Sequence, residues 1–142
     1  MLSHAGKEIL IKIRAQVVPT YTMSFFKLPN VLCDEMTSMV CKFWWGKTNE
    51  KNKMAWLSWD KMCLPKEEGG LDFRDLKAFN HALSAKQGWR LQTNTTSLVH
   101  KVFKERYFLD GDFLSAKLGS HPSFAWRSIL AGQKIVQKMH RW

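Results

Sequence analysis

LPNVLCDEMTSMVCKFWWG, Leu28 to Gly46, carries the clearest helical signal in the chain. Leu28-Pro29-Asn30 is a start signal, a proline beside an asparagine suited to cap a first turn. Leu32, Met36, Met39, Val40, Phe43 and Trp44 then recur at i, i+4, i+7, i+8, i+11 and i+12. That spacing gathers apolar side chains on one face of a 3.6-residue helix. Gly46 stops it, because glycine reverses the backbone without a Cβ penalty.

Upstream, Ser3 caps a helix expected to reach about Phe26, with Leu2, Ala5, Ile9, Leu10, Ile13 and Val17 along one side. Ile11 and Val18 lie opposite, near Lys7 and Arg14. A helix apolar on two faces expects two packing partners. Pro19 kinks or restarts it.

Downstream, residues 47–54 form a polar, basic loop. Trp56-Leu57-Ser58-Trp59 leads into a short helix through Met62. Pro65 to Gly70 is a turn-rich connector whose two glycines are expected to supply positive backbone angles. A third long helix opens at Asp72-Phe73-Arg74-Asp75 and runs to about Leu91. Leu76, Phe79, Ala82 and Leu83 mark its buried side, with Asn80 and Gln87 on or beside that stripe. Helices over Thr96–Tyr107 and from Ser123 to the end complete the reading.

The expected fold class is all-α, an irregular bundle of about five helices with short loops, short enough to be an incomplete domain. Three parts follow: residues 1–46, a helical pair; 47–70, a basic and aromatic loop with its connector; and 71–142, a helical region. A chain of 142 residues with 45% hydrophobic content is long enough to bury a core. No apolar stretch approaches the ~20 residues of a membrane span, so no membrane partner is expected.

Lys and Arg total 22 against 12 Asp and Glu, a net charge of +10. Such an excess favours polyanions, because binding them releases condensed counterions. Cys33, Cys41 and Cys63 form an odd set without a C-x-x-C pair, which points to an intracellular chain without a disulfide framework. The histidines are scattered singly, so neither a metal nor a cofactor is expected. The basic amino terminus overlaps in character with a mitochondrial presequence. An ordinary basic helix explains it better, and the compartment stays open between nucleus and mitochondrion.

Nucleotidyl transfer needs carboxylates that hold a metal pair. The acid clusters here, Asp34-Glu35, Glu67-Glu68, Asp72 with Asp75 and Asp110 with Asp112, sit where capping and solubility explain them. There is no Tyr-x-Asp-Asp, no phosphate-loop motif and no grouped nucleophile, so no polymerase catalysis is expected. What remains is aromatic residues interleaved with base. Phe43-Trp44-Trp45-Gly46-Lys47 and Trp56-Leu57-Ser58-Trp59-Asp60-Lys61 flank the basic loop, a pattern suited to stacking on bases while cations hold the backbone. Trp44 and Trp56 are read as core, and Trp45, off the helical stripe, as the exposed ring. The nucleic-acid-binding residues expected are Lys7, Arg14, Trp45, Lys47, Lys51 and Lys53.

Particular strings also match a family. Leu2-Ser3-His4-Ala5-Gly6-Lys7-Glu8-Ile9-Leu10-Ile11-Lys12, Val18-Pro19-Thr20-Tyr21-Thr22-Met23-Ser24 and Lys27-Leu28-Pro29 resemble plant LINE-type (non-LTR) retrotransposon reverse transcriptases. The most specific run is Lys66-Glu67-Glu68-Gly69-Gly70-Leu71-Asp72-Phe73-Arg74-Asp75-Leu76. Trp89-Arg90-Leu91, Lys117-Leu118-Gly119-Ser120 and Trp126-Arg127-Ser128-Ile129 continue the order, so the resemblance covers essentially the whole chain. It implies the thumb and connector region after the polymerase core, with residues 1–46 thumb-like, as also found in short plant mitochondrial open reading frames. In that family the palm with its Tyr-x-Asp-Asp precedes this region. The resemblance therefore implies a fragment without the catalytic palm. Its expected partners are nucleic acid, held weakly and without sequence preference as primer–template, and a polymerase palm domain or another protein. The alternative is a helical interaction module, or a pseudogene product with no selected function.

Overall fold

Ser3 begins the first helix as its sequence suggests, its hydroxyl accepting from the Gly6 amide at 3.2 Å. A computed structural model describes residues 3–17, 19–48, 51–52 and 57–141. Helix α1 spans His4–Leu10 and widens into a π turn over Ile11–Ala15, closed by the Gln16 amide on the Ile11 carbonyl at 3.1 Å. Proline at position 19 has no N–H to continue the ladder, and α2 (Thr20–Phe25) starts afresh beyond it. The restart expected at Pro19 is thus present, and the π turn before it is the feature the sequence did not signal.

The apolar side expected for this region is also the wrong one. Ile11 is 2% exposed in the core, whereas Ile9, Ile13 and Val17 lie more than half exposed. Leu2 and Val18 fall outside the described residues.

Helix α3 spans Asn30–Trp45, with Pro29 rather than Asn30 at the cap position and Gly46 at φ 78° ending it. Its buried residues are Cys33, Val40 and Trp44. Of the expected stripe, Leu32, Met39 and Phe43 are exposed. The apolar arc is wider than the contact it makes, so one flank is covered and the neighbouring flank, about 100° around the helix, faces outward.

Residues Lys47–Thr48 (β1) and Lys51–Asn52 (β2) pair antiparallel, Lys47 with Asn52 and Thr48 with Lys51. The expected polar, basic loop therefore holds a minimal two-stranded hairpin, and the other regular elements among the described residues are helical. Helix α4 (Trp59–Met62) and a 3-10 turn over Lys66–Glu68 follow. Gly69 has the positive φ expected, 85°. Gly70 does not; a Cβ there would collide with the Leu64 backbone. The second positive φ falls on Asp72, at 59°. The Leu71 and Phe73 amides both donate to the Met62 carbonyl, at 3.0 and 3.3 Å, folding the connector back on α4.

Helix α5 spans Leu76–Thr93. Asp75 caps it, its carboxylate accepting from the Lys77 amide at 3.1 Å. Leu76, Asn80, Ser84, Ala85, Gly88 and Leu91 are buried, Phe79 and Leu83 are half-buried, and Ala82 is exposed. From Asn80 onward the buried line is made mostly of small residues. Helix α6 spans Leu98–Tyr107, capped by Ser97, whose hydroxyl accepts from His100 N at 3.1 Å. The last helix is broken into α7 (Phe124–Ala131) and α8 (Gln133–His140). At the break, a Cβ on Gly132 would lie 2.7 Å from Ala85 Cα and 2.8 Å from the Ser84 carbonyl carbon. Glycine there lets the α7–α8 corner touch the α5 backbone.

The described residues form two compact units, Met1–Thr20 with Leu28–Phe79, and Tyr21–Lys27 with Asn80–Trp142. The core of the first is Ile11, Val40, Trp44, Met62 and Phe73, against which Trp45 and Trp59 pack. That of the second gathers Ala85, Leu91, Phe108, Phe113, Ala116, Trp126, Ile129 and Val136. Among the described residues no helix is long and apolar enough to cross a membrane.

In the second unit the buried Asn80 amide donates to the Met23 and Phe26 carbonyls, each at 2.9 Å. It thereby holds α2 where a backbone ladder cannot. Asn80→Ala leaves both carbonyls without this donor, and a cost of about 1–3 kcal/mol is expected. Urea denaturation measures it; an unchanged midpoint counts against the role.

Candidate nucleic-acid interface

The first unit brings α1, the end of α3 and the hairpin start together. Lys7 on α1 reaches the Trp44 carbonyl, Nζ to O 3.4 Å, and the His4 ring meets Trp44 edge-on at 5.1 Å. The ammonium thus sits at a helix C-terminus, where unpaired carbonyls carry partial negative charge. Three residues beyond Trp44 the chain enters the hairpin at Lys47. Lys7 and the first loop lysine therefore share one end of the unit.

Arg14 is exposed in the π turn and has no ion-pair partner among the described residues. It lies on an apolar groove of about 350 Å³ with Leu10, Ile11, Ala15, Met39, Val40 and Phe43. Trp45, expected to be the exposed ring, is half-buried and packs against the first core. Burial on one side leaves it less surface for stacking than its position off the stripe implied. Trp44 is buried as expected. Lys51 pairs through its backbone with Thr48, while Lys53 and Trp56 lie outside the described residues.

Part of the charge is already balanced internally. Glu8 pairs with Lys12 at 2.9 Å and with Lys66 at 2.7 Å, and Asp34 pairs with Lys77 at 2.7 Å. Hydrogen bonds from Lys66 and then Lys12 hold the Glu8 carboxyl below its ordinary value. A carboxylate lowered on folding favours the folded state above the ordinary carboxylate range, and that contribution disappears as pH falls through the lowered value. Among the described residues no three His, Cys, Asp or Glu side chains gather as metal ligands.

Burial, helped by the nearby carboxylates of Asp75 and Asp60, pushes the Cys63 thiol up to about 11. Alkylation requires the thiolate, whose fraction at pH 8 is then roughly 100-fold below that of an ordinary cysteine. The greater basicity returns about tenfold in intrinsic nucleophilicity. Iodoacetamide should therefore label Cys63 about tenfold more slowly in the folded protein than after denaturation. Site-resolved mass spectrometry checks this, and equal rates refute it.

A second concave surface lies wholly within the second unit. It has a volume of about 600 Å³, and its wall includes Phe25, Gln87, Arg90, Asn94, Phe103 and Ile129. Sequence reasoning placed none of these at a site. The signal it offered was Gln87 and Arg90, three residues apart on one helix, with Asn94 just past its end. Phe25 and Ile129 join them only through packing.

Comparison with known proteins finds two relatives, both from Arabidopsis thaliana. The chain is 40% identical over 122 residues to uncharacterized mitochondrial protein AtMg00310, a match covering 85% of this chain and 79% of that protein. It is 38% identical over 139 residues to putative ribonuclease H protein At1g65750, covering 95% of this chain but only 22% of that one. No family model and no solved structure matches.

Proposed function

The chain belongs to the family of uncharacterized mitochondrial protein AtMg00310, and from that premise we propose that it is a retroelement-derived module that holds nucleic acid electrostatically, without reading sequence. The family resemblance of its ordered motifs to LINE-type reverse transcriptases supports the origin. Its match to part of a much longer putative ribonuclease H protein agrees with a segment taken from a larger retroelement polyprotein. In this reading the segment corresponds to the thumb and connector, and polymerisation belongs to a palm that these 142 residues do not contain.

The observation that carries the binding proposal is the charge excess of +10. Even complete pairing of every acid leaves it uncompensated. Phosphates satisfy that excess while releasing counterions, so binding must weaken steeply with salt. Titration of a fluorescent primer–template duplex from about 50 to 200 mM salt tests this. The logarithm of the association constant is expected to fall linearly with the logarithm of salt. Absence of binding at the lowest salt, or binding indifferent to salt, defeats the proposal.

A protein partner is the second reading, favoured by the uncovered flank of the first unit. Met39 and Phe43 on α3 and Leu10 on α1 line its apolar groove and remain exposed. Exposed apolar surface of this kind marks interaction sites. Light scattering discriminates: a soluble monomer at high concentration argues against an unmet partner.

A further inference from the structure

We propose that the groove walled by α2, α5, α6 and α7 in the second unit takes an unpaired nucleobase, with Arg90 on the adjoining phosphate. The proposal rests on the nucleic-acid reading and assigns it a place that the loop lysines do not supply. The groove volume of about 600 Å³ falls in the range of sites for small organic ligands. Its two kinds of wall differ in chemistry. Gln87 and Arg90 lie one helical turn apart on α5, and Asn94 follows just past its end, where its backbone N–H donates to the Arg90 carbonyl at 2.8 Å. Facing them are the apolar surfaces of Phe25, Val99, Phe103, Ala125 and Ile129.

A planar, amphipathic anion matches that division. Phe25 is 44% exposed. Its one aromatic neighbour among the described residues, Tyr21, meets it at 66° with centroids 5.4 Å apart, so no ring is stacked on it. Phe103, by contrast, packs beside the stacked Tyr107 and Trp126 rings, at 5.9 and 5.8 Å, and serves as a rigid wall. Phe25 is therefore the ring open to a base.

Gln87 is half-buried, and its amide has no hydrogen-bond partner among the described residues. It offers a donor and an acceptor side by side, as a base edge requires. The Asn94 side-chain oxygen already accepts from Thr96 at 3.1 Å, leaving its NH₂ as a donor. Arg90 is exposed and without an ion-pair partner among the described residues. A guanidinium suits phosphate by its forked geometry. A neutral apolar ligand leaves that charge unanswered, and an acidic peptide leaves the open ring and the amide line unanswered.

The test compares the full chain's binding of fluorescein-labelled oligothymidylate with an abasic oligomer of equal length, at about 50 mM salt. Oligothymidylate is expected to bind about tenfold tighter, the stacking of one base. Phe25→Ala removes that preference. Ala125→Leu, which fills the groove from the opposite wall, removes it independently and carries the test if the first variant does not fold. Arg90→Gln weakens both oligomers. If both bind equally to the unaltered chain, or if oligoglutamate displaces oligothymidylate at equal charge, the groove inference is overturned and the electrostatic reading stands. If neither binds, both fall.

Discussion

Trp126→Ala is expected to cost about 3–5 kcal/mol of stability, the range for truncating a large buried aromatic. Trp126 is fully buried in the second core. Tyr107 lies parallel to it at 4.5 Å, with an interplanar angle of 1°. Phe103 and Phe108 stack at 5.8 and 5.9 Å, and Phe113 meets it edge-on at 6.0 Å. Its indole N–H donates to the Lys117 carbonyl at 3.4 Å. Removing the ring opens a cavity beside four aromatics; Phe103, Tyr107 and Phe108 are fixed along α6 and its C-cap and Phe113 on a separate turn, so they cannot close it without moving a whole element. A domain's total stability is only about 5–15 kcal/mol, so the variant should be largely unfolded at 37 °C. Trp126→Phe keeps the apolar contact and is expected to lose far less. Guanidinium unfolding followed by near-UV circular dichroism reads both. Equal midpoints for the alanine variant and the parent would show that the aromatic cluster does not hold this unit together.

Replacing Lys47, Lys51 and Lys53 together by Gln gives the largest expected effect on binding. Each cation that meets a duplex phosphate contributes about 0.9 to the slope of log affinity against log salt. Three full contacts therefore flatten the slope by up to ~2.7 and weaken binding near 0.1 M salt by roughly two to three orders of magnitude. Lys47 and Lys51 stand on the two paired strands of the hairpin. Lys77→Gln is the control. Its charge is engaged by Asp34 at 2.7 Å, so its removal should leave the slope nearly unchanged. A triple variant with the parent's slope would move the phosphate contacts elsewhere in the chain.

Much of this architecture was legible before any coordinates. Apolar periodicity located α3 and α5, and the caps at Ser3, Asp75 and Ser123 lie where short polar side chains precede apolar runs. These are local effects, settled within a few residues by backbone hydrogen bonding. The all-α class follows from them, and the polar, basic loop over residues 47–54 is read from residue identity alone. The charge excess is a property of composition alone.

What periodicity does not contain is which part of a wide apolar arc is covered. Ile11 and Ile13 are equally apolar and two residues apart, yet one is core and the other exposed. The position of the partner helices decides between them, and no local rule encodes it. The same holds for Trp45, whose place off the stripe implied exposure until Phe73, Met62 and their neighbours brought a core beneath it. Gly132 looked like one residue of a continuous helix. It breaks that helix because only a residue without Cβ fits against the Ala85 backbone. The groove beside Arg90 is likewise a product of packing, since residues 25, 90 and 129 share no pattern along the chain. Sequence by itself determined the helical class, the helices α3 and α5 and the positive charge. Tertiary structure alone decided which faces are buried and where a concave surface forms, because burial depends on distant residues meeting in space.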